Sequence, residues 1–206
     1  MKKIVPGKVR LGLLLIALSF FVFQSCSKND SLAEPEAYQA STKKSGDNEE
    51  QRNGAPEKGD MSIAEIAIEN EFTELLEALY YVDEEFDAGL VNLFLYGTDQ
   101  YTVFAPTNDA FEALYEDLKV DGIRDLPASL VLDVLKYHVT DGRRASNSVV
   151  PPQNKKEIET WLGEVFYVHP DMSITAIGNS AKIEAADFSA SNGIVHVISA
   201  VLLPVK

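Results

Sequence analysis

The chain has 206 residues, 46% hydrophobic and 24% charged, an ordinary globular composition with enough apolar mass for a core. Its 18 Lys and Arg against 32 Asp and Glu give a net charge of -14; residues 1–25 hold four bases and no acid, so the remainder has 14 bases against 32 acids, or -18. A body this acidic repels polyphosphate, which excludes nucleic acid as a partner. A single Cys excludes an intramolecular disulfide, a Cys-based zinc site and an iron–sulfur cluster. Three His residues, far apart in sequence, leave little for a catalytic metal, and no cofactor is expected.

The first ten residues carry Lys2, Lys3, Lys8 and Arg10, and Leu11 to Phe23 is an apolar run of 13 residues. That run fits the hydrophobic region of a signal peptide and falls short of the roughly 20 residues that span a bilayer. Cys26 follows directly, preceded by Phe23-Gln24-Ser25. This stretch resembles a bacterial lipobox, in which the signal is cut before a Cys whose thiol receives a diacylglycerol. Ser25 is the small residue wanted beside the cut, whereas Phe23 and Gln24 depart from the usual Leu and small residue. The resemblance implies a signal peptide over residues 1–25 and a lipid on Cys26 that holds the protein to a membrane. One acyl chain anchors only marginally, at about 0.8 kcal/mol per buried CH₂, whereas the two chains of a diacylglycerol anchor stably. By resemblance to other Gram-negative lipoproteins, Ser27 in place of an acid implies the outer membrane. Lys28-Asn29-Asp30 loosely resembles the lysine-and-acid signal that exports Bacteroidetes lipoproteins to the cell surface.

From Cys26 to residue 60 the chain is polar, with Pro35, Pro56, three Gly and Tyr38 as its one aromatic. Such a stretch buries too little apolar surface to offset its ordering entropy, and it reads as a flexible tether. Residues 61–206 then form a single domain of ordinary size.

Ser62-Ile63-Ala64-Glu65 is a capping-box pattern that opens a helix, and Phe72, Leu75, Leu76, Leu79 and Tyr80 mark a second by their three- and four-residue spacing. Asp83-Glu84-Glu85-Phe86-Asp87 reads as a solvated acidic turn. A calcium loop starting at Asp83 would need Gly and Glu where Ala88 and Phe94 stand. Tyr101 to Ala105 is a β-rich run halted by Pro106, and Thr107 or Asn108 caps a helix that buries Phe111, Leu114, Tyr115 and Leu118. Another helix opens near Pro127 and runs through Leu130, Val131, Val134 and Leu135 into Tyr137-His138-Val139. From about Thr160 the period changes to two, giving strands over residues 164–169, 172–177, 182–186 and 194–203. Helices first and antiparallel strands later indicate an α+β domain.

Three segments carry a family resemblance. Gln100 to Phe111 (QYTVFAPTNDAF), Leu135-Lys136-Tyr137-His138-Val139 followed by Gly142 and Ser148, and Ser191 to Ile198 (SNGIVHVI) continuing to Leu202-Leu203-Pro204 resemble, in order, the signatures of fasciclin (FAS1) domains. Thr160 and Gly163 match the turn into the strand-rich half. The set covers residues 61–206 and implies a twisted antiparallel β-sheet wedge or sandwich packed with several helices. Read from the residues alone, these motifs are mainly structural. Pro106 ends a strand, Thr107 serves helix amides, and Asn192-Gly193 suits a hairpin whose two central positions want positive φ.

The resemblance also implies that Tyr137 and His138 occupy the position tied in animal members to integrin-mediated adhesion. The Asp-Ile motifs linked to adhesion there have their nearest counterpart in Asp187-Phe188. Against this, a lone His at an apolar helix end is ordinarily a core residue whose ring nitrogens bond the backbone. His196 reads the same way, and His169, before Pro170, reads as an exposed loop residue. Cys26 is committed to lipid, no G-x-S-x-G or G-x-x-x-x-G-K-[ST] pattern occurs, and 24 acids in residues 61–206 make carboxylate pairs a matter of chance. The chain therefore reads as a non-enzymatic envelope lipoprotein and an adhesion module for a protein or glycan ligand. The alternatives are a polysaccharide-binding accessory lipoprotein, for which Trp161, Tyr167 and Tyr115 are the available aromatic platforms, and a hydrolase with unrecognised carboxylates.

Overall fold

The computed structural model describes residues 56–205; the signal segment, Cys26 and the tether as far as residue 55 lie outside them. Helix α1 (Ile63–Glu69) starts on the expected box: Ser62 Oγ accepts the Glu65 N–H at 3.2 Å and the Glu65 carboxylate accepts the Ser62 N–H at 2.7 Å. Helix α2 (Thr73–Phe86) buries Leu75, Ala78, Leu79 and Val82. It also corrects the expected acidic turn, because Asp83 to Phe86 are its last turn and Asp87 ends it in a left-handed conformation. The Asp83 carboxylate faces inward and accepts the N–H groups of Leu90 and Val91 at 2.8 and 2.9 Å. It thereby starts α3 (Leu90–Tyr96), which the sequence does not announce. Its seven residues are apolar except Asn92, so no helical period shows, and its cap comes from another helix.

Strand β1 (Tyr101–Pro106) is followed by α4 (Asn108–Leu118), whose cap Thr107 accepts the Ala110 N–H at 3.2 Å. A 3₁₀ turn at Ile123–Asp125 leads into α5 (Ala128–Tyr137), β2 (Val139–Asp141) and α6 (Ser146–Val149). The strand-rich half comprises β3 (Lys156–Glu159), β4 (Val165–Val168), β5 (Ser173–Thr175), β6 (Ser180–Ala190) and β7 (Gly193–Ile198). Strands β2 and β3 were not expected, and the last strand stops at Ile198 rather than continuing to Leu203.

The seven strands form one sheet in the order β2-β1-β7-β6-β5-β4-β3. The sheet is antiparallel, as the resemblance implies, at every pairing but one: β1 and β7 run parallel, from Tyr101 opposite Gly193 to Pro106 opposite Ile198. No hairpin joins these two strands, so the intervening chain is free to bring them together in either direction. The sheet curls until its ends meet. The Trp161 N–H, just beyond β3, donates to the Val139 carbonyl on β2 at 2.9 Å, and the indole N–H donates to Asp141 at 2.7 Å.

Strands β1 and β7 are buried at every position because they wall off two cores. Tyr101, Val103 and Ala105 face a helix-side core with Ile66, Leu79, Phe94 and Val131. Phe104 and Ile198 face a sheet-lined core with Tyr137, Ile158, Phe166 and Ile174. At the β6–β7 turn, neither Asn192 nor Gly193 has the positive φ expected of them. Gly193 is required for another reason: a Cβ there would lie 2.3 Å from the Tyr101 carbonyl oxygen of the parallel partner strand. Asn192 is buried, accepting the Ile63 N–H at 2.9 Å and donating to the Phe94 carbonyl at 3.0 Å, so one side chain joins α1, α3 and the hairpin.

Candidate functional site

Tyr137 and His138 end α5 and point into different cores. The Tyr137 ring is fully buried, meets Phe166 edge-on at 5.9 Å and donates its hydroxyl to the Val165 carbonyl at 2.8 Å. Burial raises its pKa above the ordinary 10.0. His138 is buried on the helix side. Its Nε2 accepts the Leu202 N–H at 2.8 Å, so the proton sits on Nδ1, which donates to the Val134 carbonyl one turn back at 2.7 Å. Desolvation pushes its pKa down from 6.5 to about 4, the Val134 bond offsetting only part of this, so the ring is neutral at pH 7.

His196, fully buried on β7, adopts the opposite tautomer. Its Nδ1 accepts the Asp187 N–H at 3.3 Å, and Nε2 donates to the Arg144 carbonyl at 2.9 Å. Burial again lowers its pKa. Asp187 sits where β6 bulges, with φ of 66°, and its carboxylate accepts both the N–H and the hydroxyl of Ser146 at the start of α6. The nearest counterpart of the adhesion motif is thus bound to the protein itself, and Phe188 beside it packs against the helix-side core. His169 is half-buried rather than exposed, its Nε2 at 3.0 Å from the Thr175 hydroxyl.

One residue that sequence reasoning missed organises the N-terminal approach to the domain. The Arg143 guanidinium donates to the carbonyls of Ala190 (2.8 Å), Gly193 (2.5 Å), Pro56 (3.1 Å) and Glu57 (3.0 Å), and to the Ser189 hydroxyl. Met61 O also accepts the Ser191 N–H at 2.7 Å. Residues 56–60, expected as the end of the tether, therefore pack on the β6–β7 hairpin. Backbone carbonyls make this contact, so the polar composition of the segment gave no sign of it.

Residues 70–204 match the fasciclin domain family. This chain belongs to that family. It is 34% identical over 149 residues to Protein sll1483 of Synechocystis sp., covering 70% of this chain and 74% of that protein. It is 37% identical over 106 residues to the Transforming growth factor-beta-induced protein ig-h3 of Sus scrofa, covering 50% of this chain and 14% of the relative, a small fraction of that protein's length. A solved FAS1 domain pair from the insect cell adhesion molecule Fasciclin I aligns with TM-score 0.47 and 18% identity, covering 64% of this chain and 46% of that one.

In this fasciclin domain the three aromatic platforms do not converge. Tyr115 is buried, with its hydroxyl donated to the Glu74 carboxylate at 2.7 Å, and burial followed by that bond raises its pKa. It presents no ring face, because α4 turns it onto α2. Trp161 stacks on Phe94 at 6.1 Å and 13° and meets Tyr101 edge-on at 4.8 Å. Its ring bolts the two ends of the sheet together. Tyr167 is half-buried at the surface of β4, with the Lys155 ammonium 3.7 Å from its ring centroid. Its pKa is raised, first by a hydrogen bond to Glu157 and then by that carboxylate's charge. Among the described residues no cluster of three or more His, Cys, Asp or Glu could hold a metal, and no helix is long and apolar enough to cross a membrane.

Proposed function

We propose that this chain is a non-catalytic lipoprotein of the cell envelope, held by a lipid on Cys26 and presenting its fasciclin domain as an adhesion or interaction module. The family match over residues 70–204 carries this reading, together with the link to adhesion that the resemblance to animal members implies. The geometry supports the non-catalytic part. His138 and His196 each commit both ring nitrogens to backbone groups, which leaves neither free to act as a base. With Tyr137 and His138 also buried, contact with a ligand falls to the outer surface of the domain, and the motif residues hold that surface in shape.

Cys26→Ser tests the anchor: the thioether needs the thiol, so the variant takes up no labelled fatty acid and keeps its uncut signal, and unchanged labelling overturns the lipid reading. Protease treatment of intact cells, with lysed cells as control, tests orientation. Cleavage of the domain on intact cells places its partner outside the cell; protection until lysis places it within the envelope and removes the outward adhesin. Deletion that leaves cell aggregation and surface attachment unchanged defeats the adhesion role itself.

A polysaccharide-binding role is the second reading, and the surface position of Tyr167 favours it. Binding of soluble polysaccharides that disappears in Tyr167→Ala, without turnover, would establish it. Turnover would point instead to a hydrolase.

A further inference from the structure

An apolar cavity of about 110 Å³ lies among α2, α4, α5 and the chain after β7, walled by Leu75, Ala78, Phe111, Val131 and Val134. His138 is the one polar residue in its lining, and both of its nitrogens are already bonded to backbone, so only its carbon edge is offered. A second apolar void of about 30 Å³ shares the Leu75, Leu135 and His138 walls. Water held in such a space would lack the two to four polar partners it needs, and cavities of comparable size and lining stay dry and take up benzene or xenon. Two residues of the larger cavity's lining, Leu118 and Val205, are 46% and 56% exposed. The cavity is therefore not fully enclosed: apolar side chains of its lining reach solvent.

We propose that this cavity binds the end of an aliphatic chain, the alkyl tail of a monomeric single-chain amphiphile entering past the solvent-reaching side chains of its lining. The lining decides the chemistry: its walls are mostly Leu, Val and Ile, and no free donor or acceptor is present to orient a polar ligand. The incomplete enclosure decides the shape. A compact molecule could be enclosed, whereas a tail needs an exit that leaves its polar head in water. The proposal is independent of the adhesion reading, since it concerns the helix layer and needs no partner protein.

The test uses the full chain carrying Cys26→Ser, which takes up no lipid of its own. Straight-chain carboxylates and alcohols from butyl to decyl length are titrated below their micelle concentrations while Leu, Val and Ala methyl signals are followed by NMR. Saturable shifts are expected at Ala78, Val131 and Val134, with affinity rising roughly fourfold per added methylene until the cavity is full. Ala78→Leu fills the void from within α2, so it keeps the native spectrum and loses the saturable shifts. Val134→Phe blocks the same space from α5 and serves if Ala78→Leu does not fold. Shifts that never saturate, that ignore chain length, or that persist in the filled variant overturn the proposal. Neutral phosphatidylcholine vesicles form the last arm. The same shifts on adding vesicles alone would assign the site to a bilayer lipid and overturn the monomeric amphiphile.

Discussion

The two cores meet at consecutive residues, Tyr137 and His138, yet they are packed to different standards. In the sheet-lined core Phe104, Ile158, Phe166, Ile174, Ile198 and Leu202 are all 0% exposed, and Phe166 meets Phe104 and Tyr137 edge-on at 5.0 and 5.9 Å. In the helix-side core the voids of about 110 and 30 Å³ remain. The cause lies in how each is built. Around the first core a hydrogen-bonded ladder curls back on itself, so backbone bonds fix the spacing of the side chains that fill it. The second is covered on one side by five helices of 7 to 14 residues, which no backbone ladder holds at fixed spacing, and both voids are lined by their side chains. The voids of this fasciclin domain thus lie on the side of its helix layer.

The sharpest way to break this comparison is truncation in each core. Phe166→Ala is expected to cost about 3–5 kcal/mol in urea unfolding, and Leu75→Ala, which already borders both voids, about 2–3 kcal/mol. Equal losses would mean that the cores are equally tight. A pH titration comes next. The folded-state pKa of His138, about 4, lies below the ordinary 6.5, so the stability that the neutral ring confers is fully present above pH 6.5. It falls as the pH drops toward 4, by about 3 kcal/mol in all. His138→Gln should flatten that slope without abolishing it, because burial depresses His196 in the same direction. An unchanged slope would remove His138 from the account.

Smaller effects sharpen the picture. His138→Ala at pH 7 leaves the Leu202 N–H and the Val134 carbonyl without partners and should cost about 1–3 kcal/mol, read as a lower Tm. A variant of unchanged Tm that fails to bind a partner would instead make His138 a contact residue. Trp161→Phe keeps the ring contacts with Phe94 and Tyr101 but loses the bond to Asp141. A loss of about 0.5–1.5 kcal/mol, with faster amide exchange at Val139 and Thr140, would show that this bond helps close the sheet.

Much of the local structure was legible because its causes are local. Ser62 and Glu65 lie three residues apart and cap each other; Thr107 caps the helix that begins beside it. The buried, backbone-bonded state of His138 and His196 followed from their apolar neighbours. Elements whose causes are distant were not legible. Helix α3 depends on the Asp83 carboxylate of another helix, and the edge strands β2 and β3 owe their pairing to distant partners on β1 and β4. The helical spacing of Tyr115 already puts it on a buried face, whereas nothing in sequence places Trp161. Only the tertiary placement of Glu74 gives the Tyr115 hydroxyl its acceptor, and only that of Phe94 and Asp141 makes Trp161 a bolt.

By itself, the sequence determined the family, the α+β class, the caps of α1 and α4 and most of the helix and strand positions. These rest on side chains acting within a few residues of themselves. The tertiary structure alone decided the parallel pairing of β1 with β7, the carbonyl cluster around Arg143, the docking of residues 56–60 and the apolar cavity beside His138. Each of these depends on where a backbone carbonyl or a side-chain surface from a distant segment comes to rest. That information belongs to the packed chain and to no local stretch of it.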